Sequence, residues 1–298
     1  MTDLFTSLLD PFNYTFFVKG IVVATISGAL LGLIGVYIVL RGMSYIGHGL
    51  SHAIFGGFAA SQLIASSWYM LGAGVWGVGS ALAINSVARK HRIGSDAAIG
   101  VVTTASFALG VALLAKFGNR GPSFDAALFG SILGISQGQV WALVAISVAT
   151  VVLVVLGYRA LLFATFDPDV AQASGVNVAR TDAILVSVLS LAILATLTVI
   201  GVTLVAAMLV IPAVTARLLT QSFGRMLVLS TVIGSVCGAL GMYASYFANV
   251  PSGTMIVLIA ATGFVVAMLL GPALRRRESR DPGGQAVGAP QAAVSAAP

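Results

Sequence analysis

Charge is what this chain has least of. Its 298 residues include 15 Lys and Arg and 9 Asp and Glu, 8% in all, where a soluble domain carries about 25%. There is a single glutamate, Glu278, and a single cysteine, Cys237. Hydrophobic residues make up 58% of the chain and the mean hydropathy is +1.03. A globule of this size cannot cover its surface in water with so few charges. A soluble enzyme, a disordered chain and a disulfide-stapled scaffold are excluded, and a polytopic membrane protein is indicated. The lone cysteine forms no intrachain disulfide and no CxxC metal site. It lies in an apolar run and reads as a packing residue. The net charge of +6 is no nucleic-acid signal, because the basic residues fall between apolar segments and not on one face. No GxxxxGK[ST] string is present, so any ATP-driven work must be done by another subunit. A signal peptide's basic n-region and cleavage site are missing too, with Asp3 and Asp10 near the start. The first apolar stretch is read as a retained span.

A transmembrane helix needs roughly 20 apolar residues. Runs of that kind fall at about 16–39, 45–69, 71–88, 94–115, 139–158, 182–200, 203–219, 226–247 and 253–272. The fold class predicted is all-α, a polytopic membrane helix bundle of about nine spans, or eight if the hairpin within 182–219 is shallow. Residues 116–138 are too broken by glycine and charge to span, and read as a loop with an interfacial or re-entrant helix. With the N-terminus outside, twelve Lys and Arg fall in one set of loops, among them Arg41, Arg89, Arg180, Arg217 and Arg275. The other set holds three, Lys19, Lys116 and Arg120. The positive-inside rule then puts the C-terminus in the cytoplasm. Residues 1–274 form one transmembrane domain, and 275–298 a basic, then disordered, Ala-, Gly- and Pro-rich tail. Glycines four apart, Gly28/Gly32, Gly130/Gly134/Gly138 and Gly234/Gly238, predict closely packed helices. Pro212 inside the seventh run predicts a kink.

Ionisable groups inside spans point to function. Asp96 and Asp182 lie near helix ends, whereas His48 and His52 lie within the second run. Four residues apart, the two imidazoles share a helix face, which extends to Ser44, Ser51, Phe55, Ala59 and Gln62. With the helix leaving the boundary near residue 42, His52 comes ~15 Å deep, near the midplane of a ~30 Å core. Neutral imidazole is a common metal ligand and an i,i+4 pair suits a transition metal. An intramembrane protease of the HExxH type is excluded, because Gly49 occupies the place of the general base.

The other informative stretch is the loop at 159–181, read as cytoplasmic. Phe166-Asp167-Pro168-Asp169-Val170-Ala171 followed by Gly175 predicts a helix of about two turns, opened by Asp-Pro and closed by glycine. It reads as a docking element for a cytoplasmic partner.

Tyr37 to Ala53, with Arg41, Met43, Ser44, Gly47, His48, Ser51 and His52, resembles the signature of the metal-ion permeases of ATP-binding-cassette importers, which handle manganese, zinc and iron. Three more matches follow in family order: Leu128–Leu133, Phe166-Asp167-Pro168-Asp169 with Ala171 and Gly175, and Val210-Ile211-Pro212-Ala213 with Thr215–Leu219. The similarity runs from about residue 12 to residue 272. It implies a homodimer in the cell membrane, two cytoplasmic ATPase subunits that use the ATP, an extracytoplasmic metal-binding protein, and no permanently bound cofactor. His52, with His48, Ser51 and Ser44 beside it, would line the metal path. Asp167, Pro168, Asp169, Ala171 and Gly175 would dock the ATPase.

Two positions depart from the family pattern. His48 stands where Asp is usual and Gly42 where a second Arg is common. A carboxylate offsets a dication's charge and a neutral imidazole does not, and two nitrogen donors favour zinc-like metals over manganese. The alternative is a secondary transporter or channel that needs no ATPase. It is disfavoured by the lack of a clear repeat or a mid-span carboxylate.

Overall fold

The computed structural model describes residues 9–64, 69–90, 94–117 and 135–278. Among them there is no strand. A short 3-10 turn, Asp10–Asn13, leads into eleven helices: α1 (Thr15–Leu40), α2 (Ile46–Ile64), α3 (Tyr69–Lys90), α4 (Ser95–Phe117), α5 (Gln137–Leu156), α6 (Tyr158–Phe166), α7 (Pro168–Ala173), α8 (Val178–Ile200), α9 (Val202–Leu219), α10 (Phe223–Ala248) and α11 (Ser252–Glu278). Seven of these, α1, α3, α4, α5, α8, α10 and α11, are long and apolar enough to cross a membrane. A shorter apolar stretch, Leu204–Leu219, lies in α9. The segment expected to form a loop and re-entrant helix, 116–138, falls mostly outside the described residues, as does the tail beyond Glu278.

Sequence explains several of the helix ends. Ser136 opens α5 with a capping box: its Oγ accepts from the Gln139 N–H at 3.3 Å, and Gln139 Oε1 accepts from the Ser136 N–H at 2.8 Å. Asn177 caps α8 with a single bond, its Oδ1 accepting from the Arg180 N–H at 3.0 Å. Between α8 and α9 the chain is broken by one residue, Gly201, at φ 89° and ψ 156°. That backbone conformation is open to glycine alone, so a break between the two runs forms without a recognisable turn sequence.

The bundle is built around α1. Nearly three-quarters of its apolar window, 72%, is buried, against 17% for α5 and 22% for α11. An all-round apolar helix belongs at the centre, and α1 is enclosed by α5, α8, α9 and α10. Two of the predicted small-residue faces, Gly28/Gly32 and Gly234/Gly238, meet here, whereas Gly130 and Gly134 lie outside the described residues and a Cβ on Gly138 would meet only Ser136, at 3.9 Å. A Cβ on Gly32 would lie 2.5 Å from the Ser230 carbonyl oxygen, and one on Gly238 would lie 2.2 Å from that of Ala24. The Ser230 hydroxyl donates to the Gly32 carbonyl at 2.6 Å and adds a hydrogen bond to the seam. Cys237 is buried within the same helix. At the start of α1, Phe12, Tyr14 and Phe17 meet Tyr243 and Tyr246 from the end of α10 in an aromatic cluster. At its other end stands Arg41.

Two helices, not one, separate α5 from α8. The expected helix is present as α7, six residues long. The nine-residue α6 before it was not anticipated. It carries Leu161 and Ala164, three apart and buried on one side.

Candidate functional site

Three glycines decide how α2 is held. An added Cβ on Gly49 would lie 2.8 Å from Ile99 and 2.9 Å from Thr103, both on α4. On Gly57 it would lie 2.5 Å from Trp76 on α3, and on Gly47 2.7 Å from Leu209 on α9. Neighbours thus close in on three sides, and the remaining face carries the histidines.

His48 is exposed on this chain and His52 is half-buried. Their rings meet edge to face with centroids 4.6 Å apart, and the His52 ring packs against Phe107 on α4 at 5.4 Å. The i,i+4 spacing therefore does bring both imidazoles together. Ser51 sits elsewhere: it is fully buried, and its hydroxyl donates back to the carbonyls of Gly47 at 2.8 Å and His48 at 2.9 Å. Ser44 is not on the helical face, because α2 begins at Ile46 and Ser44 stands in the turn before it. At ~1.5 Å per residue His52 lies about 9 Å along α2 from its start at Ile46. The side chains of Ala59 and Gln62, further along the expected stripe, lie outside those described.

Among the described residues no three His, Cys, Asp or Glu side chains converge as a metal cage. A resident zinc ion needs three or four protein ligands. The His48–His52 pair supplies two imidazole nitrogens on one helix face.

At the Arg41 end of the bundle, α7 forms as the sequence predicts. The Asp167 carboxylate accepts from the Val170 N–H at 3.0 Å and Pro168 takes the first helical position. The helix closes on Gly175 at φ 82°, where the Val176 N–H donates to the Ala171 carbonyl at 2.9 Å and the Gly175 N–H to Gln172 at 3.1 Å. This paired closure requires a left-handed residue after the helix end, hence glycine. Ala171 is buried and fastens the short helix to the bundle, while Asp167, Pro168 and Asp169 are exposed. Beside α7 a cleft of about 480 Å³ is lined by Arg89, Asp169, Gln172 and Asn177.

One polar cluster at this end had no signal in the sequence. Asp182 on α8 pairs with both Arg41 and Arg89. Its partners are 141 and 93 residues away, beyond the reach of any local pattern. Deeper in the bundle Trp76 Nε1 donates to Ser106 Oγ at 2.6 Å, with Ser80 Oγ 3.1 Å from the same oxygen.

An apolar helix bundle with paired imidazoles on one open helix face fits the multi-pass membrane transport proteins. Comparison with known proteins narrows this: the chain belongs to the ABC 3 transport family, whose pattern matches residues 13–271. It is a family of permeases. The chain is 37% identical over 272 residues to the manganese transport system membrane protein MntC of Halalkalibacterium halodurans, covering 91% of this chain and 92% of that protein. It is 34% identical to the chelated iron transport system membrane protein YfeC of Yersinia pestis, covering 89% and 90%. Among solved structures, PsaBC from Streptococcus pneumoniae in complex with Fab superposes with a TM-score of 0.79 at 30% identity, covering 94% of this chain and 100% of that one.

Proposed function

We propose that this chain is the membrane-spanning permease subunit of an ATP-binding-cassette importer that moves a divalent transition metal into the cytoplasm. The relatives named for manganese and for chelated iron support this class of cargo. The observation that carries the reading is the His48–His52 pair on the open face of α2. Two donors are too few for a resident zinc ion, and a histidine face with His48 exposed at the bundle's surface leaves room for a second copy to cover it. In a homodimer the two α2 faces enclose a path, and four imidazoles line it. Such a site binds briefly, because a cargo ion must leave again.

The chain makes nine spans, counting α2 and α9 with the seven long apolar helices, in the cytoplasmic or inner cell membrane. Its N-terminus is outside, and its C-terminus and α7 are cytoplasmic, as the Lys and Arg distribution supports. Residues 1–274 are the permease domain and 275–298 a cytoplasmic tail. The exposed acidic face of α7, with Asp167, Pro168 and Asp169 held by Ala171 and Gly175, docks the ATPase, which hydrolyses the ATP. An extracytoplasmic metal-binding protein delivers the ion. Family membership does not favour an ATPase-independent transporter or channel. The test is uptake of radiolabelled manganese and zinc by cells carrying His52→Ala. Loss of uptake with normal membrane insertion and ATPase assembly is expected. Wild-type uptake would place the path elsewhere.

A further inference from the structure

Arg41 caps the C-terminal end of the central helix and is the first residue of the five-residue turn that leads to the histidine helix. Its guanidinium holds both sides of the α7 segment. Nε donates to Thr165 Oγ1 on α6 at 3.1 Å, just before α7, and Nη1 pairs with Asp182 Oδ1 at 2.5 Å, just after it. The other carboxylate oxygen of Asp182 is taken by Arg89 at the end of α3. One carboxylate therefore ties the ends of α1 and α3 to the start of α8.

We propose that Asp182 is the positioning residue through which movement of the α7 segment reaches the histidine helix. The proposal rests on the reading of α7 as the ATPase-docking element. Four observations support it. First, the contacts at Arg41 flank the docking segment, Thr165 on α6 before it and Asp182 on α8 after it, so a movement that carries α6 and α8 with α7 pulls on Arg41. Second, the cluster is buried enough for its charges to matter: the side chains of Arg41 and Asp182 are 9% and 17% exposed. A shared carboxylate in such surroundings is a strong tether, and its loss is felt at both arginines. Third, Arg41 Nη2 is buried and has no hydrogen-bond partner among the described residues. A buried guanidinium donor rarely stays unpaired, so the arrangement leaves Arg41 a reason to move. Fourth, there is room for movement. A cavity of about 340 Å³ is bounded by Arg41, Asp182 and Arg89, by Pro168 of α7, and by Met43 and Ile46 at the start of α2. It lies between the docking helix and the first turn of the helix that bears His48 and His52.

A clasp that only stabilises the fold and a link that transmits motion differ in one measurable quantity, the ATP consumed per ion moved. The experiment uses the assembled transporter, this chain with its ATPase and metal-binding subunits, in proteoliposomes supplied with manganese and ATP. Asp182→Asn keeps the shape and removes the charge. It is expected to retain the ATPase and its hydrolysis rate while manganese uptake falls roughly tenfold, the effect of one lost charge-assisted bond. ATP used per manganese ion then rises by the same factor, and Asp182→Glu restores it. Thr165→Val removes the Arg41 Nε acceptor at constant shape and is expected to raise the ratio by a smaller factor. It supplies the reading if Asp182→Asn does not assemble. An unchanged ratio in the variants that assemble, with uptake and hydrolysis unaltered or falling in step, overturns the proposal. Failure of the wild-type chain to retain an ATPase would instead remove the functional reading beneath it, and is seen before any variant is made.

Discussion

Gly28 on α1 and Gly234 on α10 stand so close that a Cβ added to either would lie 2.1 Å from the other's carbonyl oxygen. Two backbones in contact leave no space for a side chain, and nothing flexible can yield. Gly28→Val and Gly234→Val are expected to destabilise the protein by about 1–3 kcal/mol or more, read as a lower thermal midpoint in detergent. Gly263→Ala on α11, where an added Cβ meets nothing within 4 Å, is expected to hold the midpoint or raise it slightly. Similar midpoints for all three would mean that the seam is looser than it looks.

The chemistry of the histidine pair leads to a second prediction. An imidazole at position 48 would offer a nitrogen donor to a passing ion, whereas a carboxylate would offer oxygen and a compensating charge. His48→Asp is expected to keep uptake and to shift the ratio of manganese to zinc transported toward manganese, measured by competition between the two ions. An unchanged ratio would show that residue 48 does not meet the cargo.

Gly175 offers a test of α7 as the proposed docking element. Its φ of 82° and its N–H bond to Gln172 are both denied to proline. Gly175→Pro should unravel the end of α7, and Asp169→Arg should reverse its exposed charge without disturbing the fold. Both are expected to weaken co-purification with the ATPase at least several-fold. Full retention in both variants would remove α7 as the docking element.

Topology is open to direct measurement. Fusions of a periplasm-active reporter after Pro298 are expected to be inactive, and fusions of a cytoplasm-active reporter at the same place active. The reverse result would invert the bundle and move α7 to the outer face.

How much of this was legible in the sequence depends on the range of the forces involved. Local chemistry was legible: Asp167-Pro168 and Gly175 announced α7 because capping and left-handed backbone are decided within a few residues. Apolar run length located the long helices to within a few residues. The small-residue faces of α1 and α10 were legible as faces, although nothing in the spacing said that they would meet each other. Position within the bundle was less legible. Ser51 shares a polar stripe with the histidines by spacing, yet α2's neighbours close over it and leave His48 open. Ser44 falls on the same face by spacing, yet the helix starts two residues after it. The short α6 was missed because a nine-residue apolar piece beside a long run has no boundary signal of its own. The tie between Asp182, Arg41 and Arg89 exists only in three dimensions.

The open histidine face has a consequence for inheritance. If each chain supplies half of the lining, one faulty half spoils the whole. In a cell making equal amounts of wild-type and His52→Ala chains, random pairing leaves about a quarter of the dimers intact. A loss-of-function allele at this position would then behave as dominant, and an extra copy of the normal gene would only partly mask it.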